Sequence, residues 1–374
     1  MQRLTGPIRP YDWGSHEVIA RVQGRDFPTA EPEAELWLGA HPADPATVDG
    51  RGLDAVIAGD PDAELGATVV RRFGAKLPFL LKLLAAQRPL SLQVHPNLAQ
   101  AAAGFEAEEA AGVPVDAPQR RYKDANHKPE MLVAVGRTQA LAGFADDATV
   151  FLRKLQWPPG LGWADRLEAG DLHGVVSDIL RGAPDFDDLA DLCAAEGSAR
   201  ALAIADLAAR YPGDPGVLVA MLLNHVELSP GDAIYLAAGS PHAYLRGAGV
   251  EIMAASDNVL RGGLTSKFVD VDELLRILAF EPGPPPVVTP VSAGPSTVRW
   301  PTPTAEFTLY EITVGGSPVA LPAVGSPRVL FCLEGEVRAA DLSLRGGESA
   351  WSPASDPELT ARGTGRLFVA TVGG

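Results

Sequence analysis

Polar and apolar residues alternate along Ser91-Leu92-Gln93-Val94-His95-Pro96. Successive side chains of a strand point to opposite faces, so Ser91, Gln93 and His95 share one face while Leu92 and Val94 enter the packing on the other. Similar short strands, separated by turn chemistry, are predicted through most of residues 1–150: at 35–41, 77–84, 131–135 and 139–144, with one helical interruption near 98–111. From Ala148 the spacing changes. Val150, Leu152 and Leu155, then Val175, Val176, Ile179 and Leu180, recur at helical intervals, and 185–207 is rich in Ala and Leu with few β-branched residues. Residues 151–218 are therefore expected to form a helical insertion. Strand chemistry resumes at 217–228, turns at Ser229-Pro230-Gly231-Asp232 and continues through 233–237. Residues 270–279 predict a helix with Val271, Leu274, Leu275 and Leu278 on one face. A proline-rich connector at 282–290 then marks a boundary. The remainder, to 374, is a run of short β-branched strands in which 329–337 predicts the clearest hairpin. Two strand-rich units of similar turn spacing are compatible with a duplicated β-barrel.

A chain of 374 residues is too long for one ordinary core. Its 46% hydrophobic residues include no apolar run able to span a bilayer, the stretch 77–86 being broken by Lys82. The N-terminus lacks the basic-then-apolar pattern of a secretory signal, and Cys193 and Cys332 are the only cysteines, so a reducing cytoplasm is expected. A net charge of −16 argues against nucleic acid or an anionic membrane as partner. An anionic small molecule remains compatible, provided positive charge is concentrated locally.

Of the seven histidines, His95 and His242 stand out. His95 has the polar face-mates Ser91 and Gln93, and His242 follows the turn Gly239-Ser240-Pro241, a pattern that aims a histidine into a small barrel. With Glu130 they give Gln93, His95, Glu130 and His242, a mixed nitrogen and oxygen set suited to a divalent ion such as Zn²⁺ with one position open. A polar cluster around buried water is the competing explanation. His127 and Lys128 add two proton-handling groups beside Glu130. Glu251 alternates with Val250 and Ile252 and so lies opposite two core residues. Arg261 and Lys267 flank a Gly262-Gly263 turn and, with nearby hydroxyls, make a plausible phosphate clamp, or else a solvated basic loop.

Six further blocks fall in one order along the chain: Tyr11-Asp12-Trp13-Gly14-Ser15, 34–42, 90–97, 122–131, 239–244 and 256–263, closed by 267–271. In these blocks the sequence resembles the type I phosphomannose isomerases of the cupin superfamily. The resemblance implies a mainly β fold: a cupin-type β-barrel (jelly roll) catalytic domain at 1–150 and 219–285, the helical insertion at 151–218, and a second, C-terminal β-barrel domain without metal at 286–374. It implies Zn²⁺ on Gln93, His95, Glu130 and His242, one ion per subunit, with other divalent metals possible. It also makes Arg261 catalytic, gives Ser91 and Lys267 the substrate phosphate, places Lys128, Glu251 and Asp257 at the reacting end, and puts Trp13 and Tyr244 in the substrate pocket. Lys128, His127 and Glu251 are alternative proton-shuttling bases. The implied reaction interconverts mannose 6-phosphate and fructose 6-phosphate through an enediol or enediolate in a monomer or weak homo-oligomer.

An isomerase of another sugar or sugar phosphate would share the metal set without needing Ser91, Arg261 and Lys267 together. A cupin-type iron oxygenase usually presents more histidines, or no amide. A silent sugar-binding cupin should have lost Arg261 or a metal ligand.

Overall fold

In the computed structural model, which describes residues 1–374, two large antiparallel sheets of eleven and nine strands make the mainly β, cupin-type architecture expected. The first is folded into two leaves that share one long strand, His242–Ala254. One end of that strand pairs with Thr138–Phe144 and Leu92–Val94, the other with Phe79–Ala86 and Glu130–Ala134. It passes between leaves at Arg246 and Gly247, just after the register shifts by one residue at Leu245. Gly247 has φ +119°, and a Cβ there would stand 2.6 Å from the Arg137 carbonyl, so glycine is required on both counts. The strand paths have free ends, so the expected barrels are open sheets rather than closed rings: closure would need outer strands such as Ile8–Arg9 and Val287–Val288 to pair.

Alternation sorts the side chains. Val250 and Ile252 belong to a 30-residue core that also contains Leu36, Leu81 and Leu83 of the first sheet and Leu309, Phe331 and Phe368 of the second. Glu251 points the other way, between the leaves, where the filling is small and apolar: Leu84, Leu132, Ala140, Ala142, Leu236 and Tyr244.

Six helices, from Ala148–Leu155 to Pro215–Ala220, form the insertion. Their 38-residue core takes in Leu92 and Val94, so the helices brace the strand that carries Gln93. The strand expected to start at 217 begins at Leu223. The Asp214 carboxylate accepts the Gly216 N–H and Pro215 occupies the first turn, which starts a helix instead. The first 150 residues also hold the unexpected helices Val18–Val22, Leu53–Gly59, Pro61–Leu65 and Ala67–Phe73, each too short to establish a 3.6-residue period. The predicted hairpin at 329–337 is one continuous strand, Arg328–Ala339, bulged between Cys332 and Glu334. The reversal comes later, into Leu342–Arg345.

Two strands cross the expected division. Gln2–Leu4 pairs with Ser349–Ser352 in the second sheet, and Val287–Val288 pairs with Ala233–Leu236 in the first. Both are two or three residues long, so neither carries enough pattern to declare its partner. No helix is long and apolar enough to cross a membrane.

Candidate functional site

His95, Glu130 and His242 are all buried, and their ligand atoms lie within 4.8 Å of one another. Each comes from a strand end: His95 just after Leu92–Val94, His242 at the start of the shared strand, and Glu130 at the start of Glu130–Ala134 in the other leaf. His95 Nδ1 donates to the Asn258 carbonyl at 2.7 Å and His242 Nδ1 to the Ser240 carbonyl at 3.0 Å. With the proton committed to Nδ1, each neutral ring presents its lone pair at Nε2. Both Nε2 atoms stand 3.4 Å from Glu130 Oε2, and that of His95 is buried without a hydrogen-bond partner. An orphaned buried nitrogen beside a second free lone pair and a carboxylate is what a bound cation would satisfy, so these residues fit a divalent metal.

Gln93 lies directly across from His242 on one neighbouring strand and from Arg261 on the other. Directly opposed residues of antiparallel strands put their Cβ atoms on one face, so the fourth candidate ligand and the guanidinium flank the same surface. Burial pushes His95 down to about 4 and so favours the neutral ring a metal needs. Burial would raise the Glu130 carboxyl, but Lys128, at 2.8 Å, and the two imidazoles outweigh it and hold Glu130 well below the ordinary range.

A second buried group was not expected from the sequence. Lys82 Nζ lies 3.4 Å from both Glu35 Oε1 and Glu251 Oε2. Despite burial these carboxylates hold Lys82 protonated, its pKa raised. Trp37 Nε1 donates to Glu35 at 2.6 Å and Tyr244 Oη to Glu251 at 2.9 Å. Lys82 faces Trp37 on one neighbouring strand and Glu251 on the other, so the row is set by strand register. Burial raises Glu251, with Lys82 opposing. One signal was present: a single lysine interrupting an otherwise apolar strand, Phe79–Ala86.

Burial alone lowers the Arg261 pKa, with no carboxylate to offset it. Lys267, more exposed, is lowered by burial and by the positive charges of Arg261 and Lys123, with the Asp12 carboxylate opposing. Cations left mutually repelling mark a place where an anion is wanted. Gly262 and Gly263 are not a turn but the end of strand Leu260–Gly263, bulged after Arg261. Ser91 immediately precedes the strand of Gln93 and is partly exposed.

Asp257 is half-exposed, with Oδ1 3.4 Å from His41 Nε2. The Ala43 N–H points to His41 Nδ1 at 3.3 Å, which leaves the ring proton on Nε2, facing Asp257. His127 Nε2 pairs with Glu306 Oε1 at 2.8 Å, a partner from the second unit that the sequence did not suggest. Trp13 stacks on Tyr11 and packs on the small interior core beside the buried Tyr244.

Residues 1–146 match the family model described as phosphomannose isomerase type I, catalytic domain. The chain is 36% identical to mannose-6-phosphate isomerase of Escherichia coli, over 98% of each sequence, and 33% identical to that of Homo sapiens, over 90% of this chain and 88% of the relative. Among solved structures, a mutant of phosphomannose isomerase from Salmonella typhimurium superposes with a TM-score of 0.92 at 34% identity, covering 100% of this chain and 99% of that one. A zinc-bound mannose 6-phosphate isomerase gives 0.91 at 34% identity with the same coverage.

Proposed function

The chain belongs to the mannose-6-phosphate isomerase family, and from that premise we propose how its own residues interconvert mannose 6-phosphate and fructose 6-phosphate. The activity is a metal-dependent aldose–ketose isomerisation in which a proton moves between C1 and C2 through an enediol or enediolate. One observation carries the assignment of the centre: two imidazole lone pairs, fixed by backbone carbonyls, converge on a buried carboxylate with an amide and an unpaired guanidinium on the adjoining face.

Gln93, His95, Glu130 and His242 would hold Zn²⁺. When bound, the ion supplies a positive charge that favours negative charge on the sugar's C1 and C2 oxygens. Arg261, desolvated and free of any carboxylate, adds a fixed positive charge on the same face. Ser91 and Lys267 take the phosphate, whose binding energy positions the reacting carbons. Trp13 and Tyr244 wall the pocket. Asp257, oriented by His41, lies at the reacting end. Among the three candidate bases, Lys128 is committed to Glu130 and Glu251 to Lys82 and Tyr244. His127 keeps a ring nitrogen available, and we assign it the proton transfer. The enzyme is placed in the cytoplasm, as a monomer or weak homo-oligomer with no nucleic-acid or membrane partner. The first domain spans 1–150 and 219–285, apart from the crossing strands.

The test is conversion of mannose 6-phosphate before chelation, after it, and after Zn²⁺ is restored. Turnover that vanishes and returns is expected. A zinc-loaded, folded protein without turnover would overturn the assignment.

A further inference from the structure

A loop of the first sheet and a segment of the second meet through the His127–Glu306 hydrogen bond, 2.8 Å long. The two sides are anchored separately. Glu306 lies between Thr304, whose hydroxyl donates to its second carboxylate oxygen, and Phe307, fully buried in the core that joins the sheets. The backbone beside it is held by the Gly373 N–H on the Ala305 carbonyl at 3.1 Å. On the other side, residues 123–129 are tied to 254–258. Asn258 Nδ2 donates to the carbonyls of Asp124 at 2.7 Å and Asn126 at 2.8 Å, and the Ala254 N–H to Pro129 at 3.1 Å. These bonds fix the main chain on both sides of His127. Its ring is held by Glu306.

We infer that Glu306 is a positioning residue for the isomerisation, supplied by the second unit: its carboxylate holds the His127 ring in one orientation and one tautomer. An ionised carboxylate only accepts hydrogen bonds, so His127 must present N–H at Nε2. Burial would raise the Glu306 carboxyl, but the His127 and Thr304 hydrogen bonds bring it down to about 2, so it is ionised wherever the enzyme works. Tyr235, pushed up to about 12 by burial and by Glu306, is the other titratable group facing it and stays neutral. The neutral His127 ring then carries its lone pair at Nδ1, which becomes the atom that takes and returns the proton. Glu306 does not touch the sugar; it acts through His127. The inference rests on His127 as the base, and it gives the second unit a part in the chemistry.

The experiment uses full-length, zinc-loaded protein carrying Glu306→Gln, an isosteric change, alone and combined with His127→Gln. Glu306→Gln is expected to lower kcat about ten- to a hundredfold with KM little changed. Glu306→Asp should recover part of the loss, and adding Glu306→Gln to His127→Gln should cost nothing further. Unchanged kcat, or an equal loss in both backgrounds, overturns the inference. Ring-¹⁵N NMR, with the His127 signal identified by its absence in His127→Gln, reads the tautomer without turnover: Nε2–H in the wild type, a mixture in Glu306→Gln. The same tautomer in both overturns the inference even if the wild type fails to turn over mannose 6-phosphate, an outcome that would separately defeat the proposed function.

Discussion

Because His95 Nδ1 and His242 Nδ1 are both spent on backbone carbonyls, neither ring can turn to replace the other. His95→Ala should therefore lose zinc and turnover together, as read by metal content and conversion rate on one preparation; full activity in metal-free protein would remove the metal from the mechanism. At the far end of the substrate, Lys267→Ala should raise KM for mannose 6-phosphate about tenfold with kcat nearly unchanged, the loss of one charge-assisted contact. An unchanged KM would exclude Lys267 from the phosphate clamp. The meeting of His95 and His242 was legible because one follows an alternating strand and the other a characteristic turn. Glu35 and Glu306 were not: one is an acidic residue in a short strand, the other lies in an irregular segment, and their partners Lys82 and His127 are 47 and 179 residues away.

At the scale of elements, the buried row Glu35–Lys82–Glu251 is built by three adjacent strands, and removing its centre leaves two carboxylates facing each other without a counter-charge. Lys82→Met is expected to destabilise the fold by about 3–5 kcal/mol, measurable by urea unfolding, because an unpaired buried charge costs more than the pair contributes. The Glu306 contact predicts a pH signature. Its folded pKa is depressed from the ordinary 4.5 to about 2, so its stabilisation is complete above about pH 4.5 and is lost as pH falls toward 2. The stability difference between wild type and Glu306→Gln should be full at pH 7 and smaller at pH 3.5; a constant difference would mean the carboxylate's charge is irrelevant. Register matters as much as charge. Tyr244 and Glu251 are an odd number of residues apart, yet their side chains meet, because the bulge at Leu245 inserts one residue. The helical insertion was readable from periodicity, whereas the short helices between 53 and 73 depend on local caps such as Asp60, which accepts the Ala63 N–H.

For the molecule as a whole, the two sheets are not separable modules. Leu36, Leu81 and Val250 from the first sheet and Leu309, Phe331 and Phe368 from the second lie in one core, and Trp300 Nε1 donates to the Gly231 carbonyl across the junction. That strands dominate both before the helical insertion and after the proline-rich connector was legible in the turn spacing; the fused core was not, because an alternating strand declares that one face is buried without naming what buries it. The same architecture sets an order in time. Gln2–Leu4 leaves the ribosome long before its pairing partner, Ser349–Ser352, is made. The outward face of the sheet that carries His95, Glu130 and His242 likewise waits for Leu309, Phe331 and Phe368. A nascent chain released after about residue 290 should contain His95, Glu130 and His242 and still be protease-sensitive, because the first sheet shares its core with sequence that arrives after it.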